Sequence, residues 1–457
     1  MNRTDRRSFL RKTAMVGVAA LAASPAMGHL DRALADELPP DPPPPPPAPR
    51  PNVLLIVTDD QRADELGVMP RVLADIAALG TNFGAAILNR PYCGPSRATI
   101  LSGQTVGHHQ VSGNSNSLQR KWDATRCLPV DLQAAGYRTC HVGKYINFQQ
   151  GSDPVPPGWD DWHGISSGFS TNSVAYTRLV YNDNGTFVSE SGNYSTYADR
   201  VRAETFLDAQ DGTVPWFLHL CPVTPHNGTN MVAPEYATAP ATFEHRPNFD
   251  EADVSDKPVA VQRLRRLTDL DVKNVGVSEL RRLRALMACD DLVGAVLDRI
   301  ATLGQLDNTV VIFTSDNGFM RGEHRIRSGK MVAYEEAVAV PFMMRGPGIP
   351  AQVRSDVLVS NVDIAPTICA LAGATPSRVP DGRDVLGMLD APDLDRIVQI
   401  DGGAYNAIRS LNWKFIQQQR TLETELYDLV ADPYEMTNLA AVTDLTPYNA
   451  ALAAAMT

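Results

Sequence analysis

Thr58-Asp59-Asp60 follows the apolar run Val53 to Val57, and Ser315-Asp316-Asn317-Gly318 follows the β-branched run Thr309 to Thr314. Acids just past a strand often cap the next helix, and either motif alone reads that way. Together in one α/β chain they offer three carboxylates and one amide carbonyl. That set suits a hard cation if the two strands are neighbours. No His or Cys cluster with zinc spacing competes. So many oxygen ligands favour Ca²⁺, with Mg²⁺ as the alternative. Between the two motifs stands Pro91-Tyr92-Cys93-Gly94-Pro95-Ser96-Arg97. Pro95 is placed to open a helix through Leu101 that Gly103 stops. Unpaired N–H groups at that helix start favour an anion, and Arg97, one turn on, can reach the same anion. A cysteine near a helix start beside an exposed arginine is the plainer reading.

These residues need a scaffold that brings distant loops together. Open α/β sheets bind ligands past the carboxyl ends of their strands. Val53 to Val57 is continuously apolar, as in a strand buried on both faces. Pro70 to Leu79 predicts a helix stopped by Gly80, and Leu132 to Ala135 ends one at Gly136. Strands are expected at Tyr137 to Val142, Trp216 to Cys221, Thr309 to Thr314, Val340 to Met344 and Asp356 to Val359. Leu280, Leu283, Met287, Val293, Val296, Leu297 and Ile300 recur at helical steps, which predicts a long amphipathic helix from Ser278 to Leu303. The alternation implies an α/β fold with a doubly wound, mostly parallel sheet. Beyond Pro376 the pattern changes, and Trp413 to Gln417 and Glu425 to Leu429 read as strands of a small antiparallel C-terminal subdomain. The expected organisation is an α/β catalytic domain over 52–375 and an α+β subdomain over 376–457.

The chain has 457 residues and is 44% hydrophobic, enough for a large core. With 41 Lys and Arg against 52 Asp and Glu, the net charge is −11, which disfavours a nucleic-acid partner. After the N-terminus no stretch approaches the roughly 20 apolar residues of a membrane span. Residues 1–35 read as an export signal: basic Arg3, Arg6, Arg7, Arg11 and Lys12, an apolar stretch from Ala14 to Ala23, and Ala33-Leu34-Ala35 as a cleavage site. Arg6-Arg7-Ser8-Phe9-Leu10 resembles the twin-arginine signal of bacteria. Residues 36–51 form a proline-rich linker. The six cysteines show no disulfide framework, and Cys221 and Cys369 read as small buried apolar residues.

Cys93 to Arg97, followed by Ala98-Thr99-Ile100-Leu101-Ser102-Gly103, resembles the type I sulfatase signature. The resemblance extends through Asn52 to Asp60, Gly143-Lys144-Tyr145, Pro225-His226, Thr314 to Gly318, Gly329-Lys330, Arg345 to Ile349, Leu426-Tyr427-Asp428, Asp432-Pro433 and Asn438-Leu439. Gly143 to Asn147, Pro157-Gly158-Trp159 and the Asp316 region are most similar to N-acetylglucosamine-6-sulfatases. The resemblance implies an alkaline-phosphatase-like fold. It implies formylglycine at position 93, made by a formylglycine-generating enzyme acting on the unfolded chain. It further implies a cation held by Asp59, Asp60, Cys93, Asp316 and Asn317. Arg97 would hold the nucleophile, and Lys144 would bind sulfate. His226 and Lys330 would bind the ester, and one of them would protonate the leaving alcohol. Asn147, His109 and His324 are candidate substrate contacts, with surface loop residues as the alternative for the two histidines. Many sulfatases carry His where this chain has Ile146, so the base for sulfate release falls to His109, His141 or a metal-bound carboxylate.

The chemistry agrees with that family role. The equatorial oxygens of a sulfate ester repel anions, so cations must take up the charge. A serine nucleophile would remain as a stable sulfate ester, whereas a hydrated aldehyde can attack with one hydroxyl and expel sulfate with the other. The expected activity is an exported sulfatase acting on a sulfated sugar, glycan or aryl sulfate. A phosphonate or phosphate-ester hydrolase on the same fold, or a non-catalytic exported glycan-binding protein, are the alternatives. Residues 164–200 and 226–276 are polar and irregular, a composition that suits sugar contacts in a substrate pocket and equally suits ordinary loops.

Overall fold

Val53 to Val57, every residue fully buried, lies in the middle of a ten-stranded sheet in the computed structural model. The structure describes residues 50–147, 153–167, 169–170 and 173–456. The signal expected over 1–35, and all but the last two residues of the linker, lie outside them. The sheet order is Val353–Ser360, Thr81–Ile87, Phe342–Arg345, Thr309–Ser315, Asn52–Thr58, Trp216–Cys221, Arg138–Gly143, Asp161–Ser167, Val180–Asp183 and Thr186–Ser189. The block from Thr309–Ser315 through Asp161–Ser167 is parallel throughout. Phe342–Arg345 runs antiparallel to Thr309–Ser315, and the two strands at the far edge are antiparallel as well. Thr58 pairs with Ser315 in register, so the two acid-bearing strand ends emerge side by side.

Helices cover both faces. On one, Ile100 and Leu101 of the Cys93–Ser102 helix pack with Leu128, Leu132, Ile364 and Ile368 against Val53, Leu55 and Val57. On the other, Leu286, Val293, Val296 and Ile300 of the Asp269–Thr302 helix pack with Ala203 and Phe206 against Leu54 and Ile56. Each fully buried Leu, Ile or Val contributes about 1.5–3 kcal/mol relative to exposure, so both covering layers are firmly held. The long helix begins nine residues before the predicted Ser278. Thr268 caps it through the amide of Asp271, a polar signal that hydrophobic periodicity does not register. The predicted helix over Pro70 to Leu79 forms as one α-turn, Pro70–Val72, continued by a π-turn, Leu73–Ala77.

A four-stranded antiparallel sheet, Val398–Asp401, Tyr405–Arg409, Trp413–Gln418 and Thr424–Asp428, follows near the C-terminus. Ile400, Ala407, Ile416 and Tyr427 share a core with Ile87, Leu358 and Tyr334, so Pro49–Thr457 forms one compact unit. A smaller sheet joins Phe169–Ser170, Ser173–Ala175 and Gly228–Thr229. Among the described residues no helix is long and apolar enough to cross a membrane. All six cysteines are free and buried.

Candidate active site

The strand Asn52–Thr58 delivers Asp59 and Asp60 to its carboxyl end, and both are buried. Asp60 then turns the chain with φ of 70°, a left-handed conformation that costs a non-glycine residue about 1 kcal/mol or more. Contacts with neighbouring strand ends hold it there. Asp60 N donates to Asp316 Oδ1 at 3.0 Å, Gln61 N to Ser315 Oγ at 2.9 Å, and Asp316 N to the Thr58 carbonyl at 3.0 Å. Asp59 N donates to the Thr224 carbonyl at 2.9 Å, which fixes the loop carrying His226.

Cys93 arrives on the Cys93–Ser102 helix. That helix starts two residues earlier than predicted. Tyr92 is extended, with φ of −155°, and serves as the N-cap, so Cys93 is the first helical residue and Pro95 sits within the first turn. Gly103 ends the helix as expected, with φ of 67°. Cys93 is 1% exposed, and its Sγ lies 3.7 Å from Asp59 Oδ1, 4.0 Å from Asp60 Oδ1 and 2.8 Å from Lys330 Nζ. Asp59, Asp60, Cys93 and Asp316 each offer a ligand atom within 4.8 Å of the others.

Two buried cations, Arg97 and Lys144, and the partly exposed Lys330 enclose this group. Arg97 Nε meets Asp316 Oδ2 at 2.7 Å and its Nη1 holds the Lys144 carbonyl at 2.8 Å. Lys144 Nζ is 2.6 Å from Asp59 Oδ2, and Lys330 Nζ bonds Asp60 Oδ1. Neither lysine is the solvated surface charge that a lone lysine usually is. Burial alone would raise Asp59, but Lys144, His226, Arg97 and Lys330 overcome it and hold the carboxyl well below the usual range. Asp60 is likewise lowered, against burial, chiefly by Lys330 and His226. Asp316 is raised: burial outweighs Arg97, and Asp59 adds to it. Burial pushes the Cys93 thiol up to about 12 despite Lys144 and Lys330. His226 is 14% exposed, with Nε2 3.8 Å from Asp60 Oδ2. Its Nδ1 faces the Asn227 carbonyl at 2.9 Å, so Nδ1 carries a proton and Nε2 is the atom turned to the site.

The residues fit a divalent cation. Asn317 is fully buried, its Nδ2 donates to Asp60 Oδ1 at 2.6 Å, and its Oδ1 has no partner. A carbonyl oxygen without a donor, beside three carboxylates, matches the needs of a hard cation. Bound there, such an ion supplies charge neutralisation for an anionic ester.

Not every expected residue joins the site. His109 is 3% exposed; its Nε2 meets Thr99 Oγ1 at 3.0 Å and its Nδ1 accepts from Val111 N at 3.0 Å. Burial lowers it to about 3, and it is an interior histidine rather than a loop residue or a substrate contact. His324 has no exposure, bonds Glu251 Oε2 at 2.6 Å and packs on the Tyr334 ring, so it belongs to the seam beneath the C-terminal sheet. His141 is sealed among Trp159, Trp162 and His219. Asn147 is nearly buried and lines a cavity of about 230 Å³ with Trp122, Tyr145 and Ile146. Arg282, which pairs with Glu65 behind the carboxylates, was invisible to sequence patterning.

Residues 51–374 match the family model described as Sulfatase. A Sulf-1 homologue of Caenorhabditis elegans is 33% identical over 401 residues, covering 82% of this chain and 55% of that protein. The chain thus spans about half the length of that relative. The N-acetylglucosamine-6-sulfatase of Homo sapiens is 29% identical over 457 residues, 86% of this chain and 82% of that protein. The solved structure of BT4656 in complex with its substrate D-glucosamine-2-N,6-O-disulfate shares the fold, with a TM-score of 0.72 at 22% identity over 89% of this chain and 96% of that one. By the family model and these motifs together, the chain belongs to the sulfatase family.

Proposed function

We propose that the chain is an exported enzyme that hydrolyses sulfate esters of glycans, with formylglycine at position 93 and Ca²⁺ held by Asp59, Asp60, Asp316 and Asn317. One observation carries the reading: a buried cysteine at a helix start faces three buried carboxylates, an unpartnered carbonyl and three cations. Conversion of Cys93 by a formylglycine-generating enzyme, acting before the chain folds, replaces the thiol sulfur and two hydrogens with one oxygen. Such an aldehyde, hydrated, supplies one hydroxyl for attack at sulfur and a second for release of sulfate. Burial of Cys93 in the folded chain favours modification before folding.

The other residues take roles their positions allow. Arg97, locked to Asp316, keeps the helix start and the Lys144 carbonyl in place. With a cation on the carboxylates, the ammonium groups of Lys144 and Lys330 turn their charge to the ester oxygens. His226, whose Nε2 is turned to the site, is placed to donate a proton to the departing alkoxide, which is a poor leaving group without one. His109 and His141 are sealed, which leaves a carboxylate of the cation site as the base for sulfate release; Asp59 Oδ1 and Asp60 Oδ1 lie 3.7 and 4.0 Å from the position 93 side chain. Amino-sugar 6-sulfates are the favoured substrate class. The human relative is named for that chemistry and the structural neighbour binds a 6-O-sulfated glucosamine. Residues 1–35 serve export by the twin-arginine route, and residues 52–375 carry the catalytic domain ahead of the 376–457 subdomain.

The test joins mass spectrometry of the peptide holding residue 93 to sulfate release from monosaccharide 6-sulfates, an aryl sulfate and an aryl phosphate diester, with Cys93→Ala as control. The aldehyde mass and sulfate release that vanishes in the control are expected. An intact thiol in active protein defeats the formylglycine assignment. Turnover of the phosphate diester alone moves the chain to phosphoryl chemistry.

A further inference from the structure

Behind the carboxylates lies a second buried charge cluster that faces no substrate. Arg282, in the Asp269–Thr302 helix, has no exposed surface. Its Nε and Nη2 meet Glu65 Oε1 and Oε2 at 2.9 Å each, a two-pronged pair. The same guanidinium reaches two backbone carbonyls: Nη1 donates to Pro225 O at 3.1 Å, and Nη2 to Asp60 O. The Phe319 ring sits 5.4 Å from its carbon, which closes the cluster on another side. Glu65 is itself fixed, accepting from Arg62 N at 2.8 Å and from Arg321 Nη1 at 2.9 Å.

Both carbonyls belong to loops of the active site. Asp60 holds a left-handed φ of 70°, which persists only where its surroundings over-determine it. Pro225 precedes His226, whose Nε2 lies 3.8 Å from Asp60 Oδ2. A buried ion pair adds little net stability once desolvation is counted, but the planar fork of arginine fixes geometry. Lysine carries the same charge on a point and cannot span two carboxylate oxygens and two carbonyls together.

We propose that Arg282 is a positioning residue that locks the Asp59-Asp60 cation loop to the His226 loop, so that cation and proton donor share one geometry. This rests on the sulfatase reading for its catalytic consequence, though not for the positioning itself.

The test compares full-length wild type with Arg282→Lys and Arg282→Ala by calorimetric titration with Ca²⁺, and by amide exchange at Asp60-Gln61 and at His226-Asn227. In Arg282→Lys the Ca²⁺ dissociation constant rises about tenfold or more, the scale of losing hydrogen bonds from a charged donor. Exchange quickens in both loops and stays unchanged in Asn52–Thr58 and Thr309–Ser315, and kcat falls with KM nearly constant. Free guanidinium restores part of the Ca²⁺ affinity of Arg282→Ala. Wild-type affinity and wild-type loop exchange in Arg282→Lys overturn the proposal. So does faster exchange spread evenly through the core strands, which marks plain destabilisation. Wild type that carries the aldehyde at position 93 and binds Ca²⁺ yet releases no sulfate sinks the sulfatase reading and leaves both arms readable. If wild type binds no Ca²⁺, loop exchange alone decides.

Discussion

Lys330 stands in two relationships at once, touching Cys93 Sγ at 2.8 Å and sharing a proton-rich contact with Asp60 Oδ1. Burial would lower this lysine, but Asp60, Cys93, Asp59 and Asp316 raise it well above its ordinary value, so it stays charged. In protein without a cation it supplies part of the counter-charge that three buried carboxylates require. In the proposed reaction the same ammonium faces the ester. Lys330→Ala therefore has two separable consequences. Sulfate release falls by about 10²–10³-fold, the usual cost of removing one preorganised charge stabiliser. The variant also gains more melting temperature from Ca²⁺ than wild type does, because its carboxylates lack their other partner and a ligand of the folded state stabilises in proportion to its affinity. Thermal melts with chelator and with Ca²⁺ measure the second effect without turnover. Equal gains in the two proteins would show that Lys330 does not balance those carboxylates.

At the scale of elements, strand ends decide where the chemistry sits. Gly143 ends the Arg138–Gly143 strand with φ of 103°, and a Cβ there would lie 2.1 Å from the Cys221 carbonyl oxygen. The next residue, Lys144, donates its N–H to that same carbonyl at 2.8 Å. Only a residue without a side chain lets the two strand ends close and aim Lys144 at Asp59. Gly143→Ala should cost about 3 kcal/mol or more in urea unfolding and most of the activity, since both clash and left-handed strain act together. Gly107→Ala is the control, because its nearest atom is Thr105 Oγ1 at 3.8 Å, and it should be neutral or slightly stabilising. Similar losses in both would refute the close-approach argument. Such contacts bear on what the sequence could disclose. Strand positions were legible because continuous apolar runs mark doubly buried strands, and the acids beyond Val57 and Thr314 followed from them. The direction of Phe342–Arg345 was not legible, since an apolar run has no sense of direction. His109 and His324 look like loop residues in polar sequence, and tertiary packing alone buries them. Arg282 and Glu65 are 217 residues apart, so no local pattern links them.

Over the whole molecule, stability and pH are tied through groups far from the chemistry. Asp199 lies in the Ser195–Asp208 helix with no exposure. Its Oδ1 accepts from Tyr181 OH at 2.7 Å, and its Oδ2 has no partner. Burial pushes the carboxyl up to about 7, despite the Tyr181 bond and Arg202. In the unfolded chain the same group titrates near 3.8. Folded protein thus keeps a proton that the unfolded chain gives up. The stabilisation from that proton is complete below about pH 4, weakens as pH rises, and is lost once pH passes about 7. Asp199→Asn copies the neutral acid and keeps the acceptor for Tyr181. Wild type and variant should be of similar stability at pH 4. At pH 8 the variant should be more stable by roughly 2–4 kcal/mol, the free energy of a shift of this size less some relaxation around the buried charge. Urea unfolding at a series of pH values measures the gap directly. A gap that stays constant with pH would mean that Asp199 ionises alike in both states, and the pH dependence of this chain would then lie with other buried acids.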